Sequence, residues 1–431
     1  MKILKALGFL LILIPLAALP LPPRDKDMAK TIDRAVSDLA PGITKIQEDI
    51  HSHPELSMQE TRTAALVADY FRKLGLEVRT GIGGAGVLGI LRGGKTGPVI
   101  GMRGDMDALP ITEETGLPYA STAKGVRDGQ ETGIMHACGH DFHTSILLGV
   151  AAVLASLRDD FPGTVLFIAQ PAEEWGDGAR LMLEAGVFRE VKPQALFAFH
   201  VNDTVPAGIV KYTPGWAGAN CDGFRLKVLS EGCHGAGPAA CVDPIVVGAQ
   251  IVVALQVMIS REIDVQKDTV ITVGSFHAGS ASNIIPREAV LQTTIRSYGE
   301  DQRTLLKRKV ERLVSNLCEA AGAKFELDYY FGTPALYNDP ALMAEILPTV
   351  EKALGGKPFL IQDPPEMGGE DFSFFAKEVP SVMLGLGSVP EGKQPISVHS
   401  PYFVADQKAI PIGMRIMSRI LWEYGLRHRT K

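Results

Sequence analysis

Four polar clusters in this chain carry residue types that hold cations or move protons. In Met135-His136-Ala137-Cys138-Gly139-His140-Asp141-Phe142-His143, Cys138 and His140 flank one glycine, so a tight turn can aim a thiolate and an imidazole at one ion. Gln170-Pro171-Ala172-Glu173-Glu174 supplies adjacent carboxylates, of which one can ligate while the other takes a proton from water. Arg103-Gly104-Asp105-Met106-Asp107 supplies two more carboxylates, and His200 ends an apolar run. Each has an ordinary reading when taken singly. A lone cysteine is usually an inert buried residue, a strand-end histidine structural, and a Glu pair a solvated turn. Together they point to a metal site, because the carboxylate clusters and His200 fall where buried strands end.

The strands are read from short, continuously apolar runs at 98–102, 164–169, 195–199 and 381–386, with helical spacing between them. Such runs imply a sheet buried on both faces, hence an α/β domain whose carboxyl strand ends form the ligand crevice. Helical spacing marks 43–50 and 61–74, the second stopping at Gly75, and an apolar helix is expected from about Thr144. The middle of the chain differs. Strand-like alternation at 222–230 is followed by a helix at 243–259, strands at 269–276 and 289–297, a helix at 302–321 and a strand at 324–330. That β-α-β-β-α-β order is the split-βαβ pattern of a ferredoxin-like α+β unit. The expected layout is a catalytic domain in two parts, 30–218 and 333–431, around an inserted lid or dimerisation domain at 219–332.

The motifs resemble those of the aminoacylase–carboxypeptidase superfamily of metallopeptidases, closest to its hippurate hydrolase and indoleacetyl-amino-acid hydrolase branch. The matching segments are His51-Ser52-His53-Pro54-Glu55-Leu56, Met102 to Pro110, Met135 to His143, Gln170 to Glu174, Gly368-Gly369-Glu370-Asp371-Phe372 and His399-Ser400-Pro401, in the family's order. The resemblance implies a zinc-peptidase-like mixed sheet flanked by helices and a site for two divalent cations, manganese or zinc, with cobalt or nickel as alternatives. It implies Cys138, His140, Glu174, His200 and His399 as ligands and Glu173 as the base acting on a metal-bridging hydroxide. His399 is lifted only by the resemblance; by itself it is a loop histidine. Asp107 looks like the carboxylate that orients a ligand, with a backbone-bonding turn aspartate as the alternative. His136 and His143 are read as structural or as outer partners of the ligands.

In the middle segment the branch carries Gly-Gly-His-Ala-Ala-x-Pro-His, where this chain has Gly232-Cys233-His234-Gly235-Ala236-Gly237-Pro238-Ala239. His234 keeps the first histidine, which the resemblance assigns to the oxyanion of the tetrahedral intermediate; Ala239 replaces the second and Cys233 a glycine. Asn283 and Arg296 match substrate-binding positions, Arg296 as a partner for a carboxylate or as a surface ion pair. The implied reaction is hydrolysis of a small N-acylated amino acid to a carboxylic acid and an amino acid. A carboxypeptidase or dipeptidase with the same metals, and a binding protein without catalysis, are the alternatives. A homodimer through the inserted domain is a further expectation.

The composition agrees with an enzyme rather than a nucleic-acid or membrane-surface protein. Lys plus Arg is 43 against 49 for Asp plus Glu, a net charge of −6, so no basic face is expected. Met1-Lys2-Ile3-Leu4-Lys5 precedes an apolar run broken by Pro15 and Pro20, so 1–23 reads as an export signal to the periplasm or exterior. An uncleaved membrane anchor is the alternative. Five cysteines leave at least one unpaired, with Cys138 the expected one; pairing among Cys221, Cys233, Cys241 and Cys318 is not legible from spacing.

Overall fold

The computed structural model describes residues 27–127, 129–356, 359–362 and 364–429, so the export-signal reading at 1–23 lies outside the described residues. An eight-stranded mixed sheet runs in the order Glu77–Ile82, Gly86–Arg92, Pro162–Gln170, Lys95–Asp105, Ala195–Pro206, Ser381–Val389, Val210–Tyr212, Phe359–Ile361. The four long strands at its centre are parallel. Their side chains alternate between two apolar cores. Val165, Phe167 and Ala169 face one core with Phe197 and Phe199, while Leu166 and Ile168 face the other with Leu196 and Ala198. Two buried faces explain why these strands are apolar without interruption.

The first core is covered by helices Met28–Ser52, Thr61–Lys73, His140–Ser156, Pro340–Leu354 and Ala409–Arg427. The second is covered by the short helices Gly178–Glu184 and Phe372–Glu378. Helix His140–Ser156 is buried on every side through Leu154, which is why its sequence lacks an amphipathic stripe. Lys95–Asp105 pairs with Pro162–Gln170 on one side and Ala195–Pro206 on the other. The chain therefore leaves Lys95–Asp105, returns on one flank and then crosses to the other. A strand order that reverses in this way opens a crevice at the strands' carboxyl ends.

The inserted unit is a four-stranded antiparallel sheet in the order Thr269–Ala278, Glu288–Ser297, Asn220–Leu229, Lys324–Tyr330. Helices Pro244–Glu262 and Glu300–Ala320 bury Ile251, Leu255, Leu306 and Val310 against Phe224, Leu226 and Val228. This is the split-βαβ arrangement. Asp243 caps the first of these helices through the Ile245 and Val246 N–H groups, with Pro244 in the first turn. That helix is long and apolar enough to cross a membrane, yet it lies on the sheet and leaves Ile245, Val246, Val253 and Val257 exposed.

Candidate metal centre

Cys138 and His140 are presented by the start of helix His140–Ser156, which begins four residues earlier than the apolar pattern suggests. Gly139 sits in the left-handed region at φ 79°, and a Cβ there would lie 2.5 Å from Val201 Cγ2. Only glycine makes this turn without strain and lets it press against the neighbouring strand. His140 Nδ1 donates to Asp107 Oδ1 at 3.2 Å, which leaves Nε2 free to ligate.

Asp107 is the hub of the crevice. Besides His140 it accepts from Ser57 Oγ at 2.6 Å and from the backbone N–H groups of Glu173 and Glu174 at 3.1 and 3.0 Å. Asp107 thus bonds the His140 ring and the backbone of the Glu pair at the same time. The turn carrying the Glu pair is strained: Ala172 has φ 53° and is pinned by its N–H donating to the buried Glu60 carboxylate at 2.7 Å. Burial, aided by Asp107, pushes the Glu60 carboxyl up to about 7. Glu173 and Glu174 are not a solvated turn, since their side chains are only 10% and 9% exposed.

His200 lies inside strand Ala195–Pro206 rather than at its end, because pairing with Ser381–Val389 extends the strand beyond the apolar run. Its Nδ1 donates to Val201 O at 2.8 Å, so Nε2 faces Cys138 Sγ at 3.4 Å. Both His143 ring nitrogens have protein partners: Nδ1 donates to Asp105 at 2.6 Å while Nε2 accepts from Val201 N–H at 2.8 Å. Burial lowers its pKa to about 4, consistent with the neutral ring those two bonds require. His399 reaches the crevice from a loop, at φ 63°, with its N–H on Ala137 O at 2.8 Å. Its Nε2 is 3.5 Å from Glu174 Oε1.

The five ligand expectations thus meet in one place. Cys138, His140 and His200 form one group, and Cys138, Glu174 and His399 another, each with its donor atoms within 4.8 Å of one another. Cys138 belongs to both. The donor set fits cations: His140 Nε2 and Glu174 Oε1 are buried without a hydrogen-bond partner and lie 3.8 Å apart. Burial pushes the Glu174 carboxyl up to about 7 and the Cys138 thiol well above its usual range. A positive ion at this point would offset both costs. Glu173 stands outside both Cys138 groups but within 4.8 Å of donor atoms in two others, His140 with Glu174 and Glu370 with Asp371; its Oε2 is 3.9 Å from His140 Nε2. Burial raises its proton affinity too, and Glu370, Glu174 and Asp371 add to the effect.

Two buried charge networks around the crevice escaped the reading of the sequence. Arg103 places NH1 2.6 Å from Asp105 Oδ2 and NH2 2.9 Å from Glu370 Oε1 and 3.2 Å from Asp371 Oδ1. Its Nε donates to Gln170 at 2.8 Å. Burial works against the Arg103 charge, but Asp105, Glu370 and Asp371 outweigh it. A charge inside an apolar strand was the available signal, since such a residue demands partners. His51 bridges Asp141 at 2.8 Å and Glu113 at 3.2 Å, with Gln47 also donating to Asp141 at 2.6 Å. Burial opposes its charge, yet Asp141 and Glu113 lift it to about 10.

The inserted unit contributes nothing to these groups in this conformation. His234 and Asn283 line an open cleft of about 940 Å³ with His277 and Arg287, and neither belongs to any of the candidate metal groups. Arg296, half-buried in strand Glu288–Ser297, contacts Ile295 O and no cluster member. Cys233 and Cys241 form a disulfide, while Cys138, Cys221 and Cys318 are free thiols.

Comparison with known proteins follows the same lines. Peptidase family M20/M25/M40 matches residues 101–423. Thermostable carboxypeptidase 1 of Saccharolobus solfataricus is 37% identical over 395 residues, 90% of this chain and 96% of that protein. Hippurate hydrolase of Campylobacter jejuni is 32% identical over 392 residues, 90% of this chain and 98% of that protein. The crystal structure of Bacillus subtilis YXEP, described as a dinuclear metal-binding peptidase, superposes with a TM-score of 0.76 at 29% identity. That match covers 92% of this chain and all of that one.

Proposed function

We propose, from the premise that this chain belongs to peptidase family M20/M25/M40 and is a hydrolase of linear amides, that it cleaves small N-acylated amino acids. The observation that carries the reading is a buried carboxylate, Glu173, that belongs to neither of the two donor groups sharing Cys138 yet stands beside His140 and Glu174. In this reading Cys138, His140, Glu174, His200 and His399 hold two divalent cations, manganese or zinc by the mix of thiolate, imidazole and carboxylate donors. When bound, such cations polarise the scissile carbonyl and lower the pKa of water to about 7.

The chain's own residues do the rest. Glu173 takes the proton of the attacking water and returns it to the leaving amine, a role suited to a carboxyl whose proton affinity burial has raised. Asp107 keeps the His140 ring turned with Nε2 inward and holds the backbone of the Glu pair. His234 reaches the oxyanion when the inserted unit closes over the crevice, excluding water, while Asn283 and Arg296 engage the substrate.

Two relatives of comparable identity are named for different substrates, so substrate must be measured. The test is product analysis of the metal-reconstituted protein on N-acetyl-amino acids, hippurate and dipeptides. Preferential release of acid and amino acid from the first two supports the proposal. Preference for dipeptides favours the peptidase reading, and metal binding without turnover the binding-protein reading.

The exposed apolar stripe of helix Pro244–Glu262 and the sheet-edge strand Thr269–Ala278 beside it support a homodimer through the inserted unit. Export is supported by the basic start and apolar run, and by the Cys233–Cys241 disulfide, a bond that persists in oxidising compartments.

A further inference from the structure

We propose that the Cys233–Cys241 disulfide is a positioning device for His234, a covalent clip that holds the oxyanion histidine's loop in register; the inference rests on the role given to His234 above. The loop needs one. Every residue from 234 to 240 is exposed, so no burial fixes its path. Its hydrogen bonds are mostly internal: Gly237 N–H to His234 O, Ala240 N–H to Gly237 O, and Ala236 N–H to His234 Nδ1 at 3.0 Å. A two-residue pairing, Cys233 with Ile285 and His234 with Ile284, and the Gly235 N–H to Asn283 O bond tie it to neighbouring chain, and at its base Ser230 Oγ donates to Val242 O.

The disulfide closes the far end. It joins the residue immediately before His234 to Cys241, two residues ahead of the capped start of helix Pro244–Glu262. His234 thus sits in a two-residue strand that the disulfide ties to a helix anchored in the inserted unit's core. The bond removes chain freedom from the open loop. An oxyanion donor acts only when it is aimed before the reaction, so slack in this loop costs rate rather than substrate affinity.

The test is the paired substitution C233S/C241S, alone and combined with H234A, measured on hippurate or on the fastest N-acetyl-amino acid of the panel. Metal content and thermal melting are followed in parallel. Reduction of the folded wild type with tris(2-carboxyethyl)phosphine is the second route, since Cys138, Cys221 and Cys318 are already thiols. In that step the S–S bond breaks and two S–H bonds form with the protons of one water. The phosphine supplies two electrons and leaves as its oxide.

The expected result by either route is a fall in kcat of about 10- to 100-fold, with KM and metal content unchanged. Added to H234A, the pair should cost no more than about twofold further, because the clip acts through that side chain. Full kcat in C233S/C241S while H234A is slow would overturn the clip and leave the catalytic reading intact. A full additional loss on top of H234A also overturns it, placing the disulfide's effect elsewhere. Wild-type rates in H234A alone overturn the role of His234 itself.

Discussion

The crevice of the large sheet and the loop of the inserted unit are built on opposite principles. In the crevice, several key groups are fixed by a second buried group: His140 by Asp107, Ala172 by Glu60, Arg103 by three carboxylates. In the loop, His234 is exposed and held by a two-residue pairing and a disulfide. The contrast separates two tasks. A cation cage has to exist before substrate arrives, whereas an oxyanion donor on a lid has to be absent until then. Damage to the crevice should therefore appear in metal content, folding and chemistry, and damage to the loop in rate alone.

The largest effect is expected from Glu173→Gln. It should retain both metals and lose kcat by roughly 10²–10⁴-fold, as removal of a general base does. Single-turnover rates and metal analysis on the same sample check this; near-wild-type turnover would remove Glu173 from the chemistry. Arg103→Met tests the claim that the crevice is over-determined. It strips the counter-charge from Asp105, Glu370 and Asp371 and should cost roughly 3–5 kcal/mol of stability by denaturant unfolding. A loss as small as that of an exposed ion pair would show the network to be dispensable.

Asp107→Asn sharpens the comparison further, because it keeps the shape and weakens the hub. Metal affinity should drop by about 10–100-fold, read by competition with a chelator, with little change in the fold. A gentler probe is pH. The His51 pKa rises from 6.5 to about 10 on folding, so its stabilising contribution is complete below about pH 6.5 and is lost as pH climbs through 10. Melting temperature should fall between pH 7 and 10 more steeply in the wild type than in His51→Gln. Parallel profiles would show that the Asp141–His51–Glu113 bridge does not hold the crevice.

The residues differ in how far they could be read in advance. Cys138, His140, Glu173 and Glu174 were legible because polar runs interrupt apolar ones where strands stop, and two buried faces make that boundary sharp. The split-βαβ unit was legible through its alternation of elements. His200, expected at a strand end, lies inside a strand that runs on to Pro206, since partner strands and not local apolarity decide where a strand ends. His399 has no local signature: a loop folded back onto Ala137 brings it in. The Arg103–Glu370 and His51–Asp141 bridges span 267 and 90 residues, so only the fold pairs them. The disulfide, eight residues apart, was hidden among equivalent cysteines until the short pairing at Cys233 brought the two thiols together.

The most direct measurement is an anomalous-scattering map of the metal-loaded crystal. Two peaks are predicted, one among Cys138, His140 and His200 and one among Cys138, Glu174 and His399, with the Glu173 carboxylate bound to neither. A single peak, or a peak ligated by Glu173, would contradict the account.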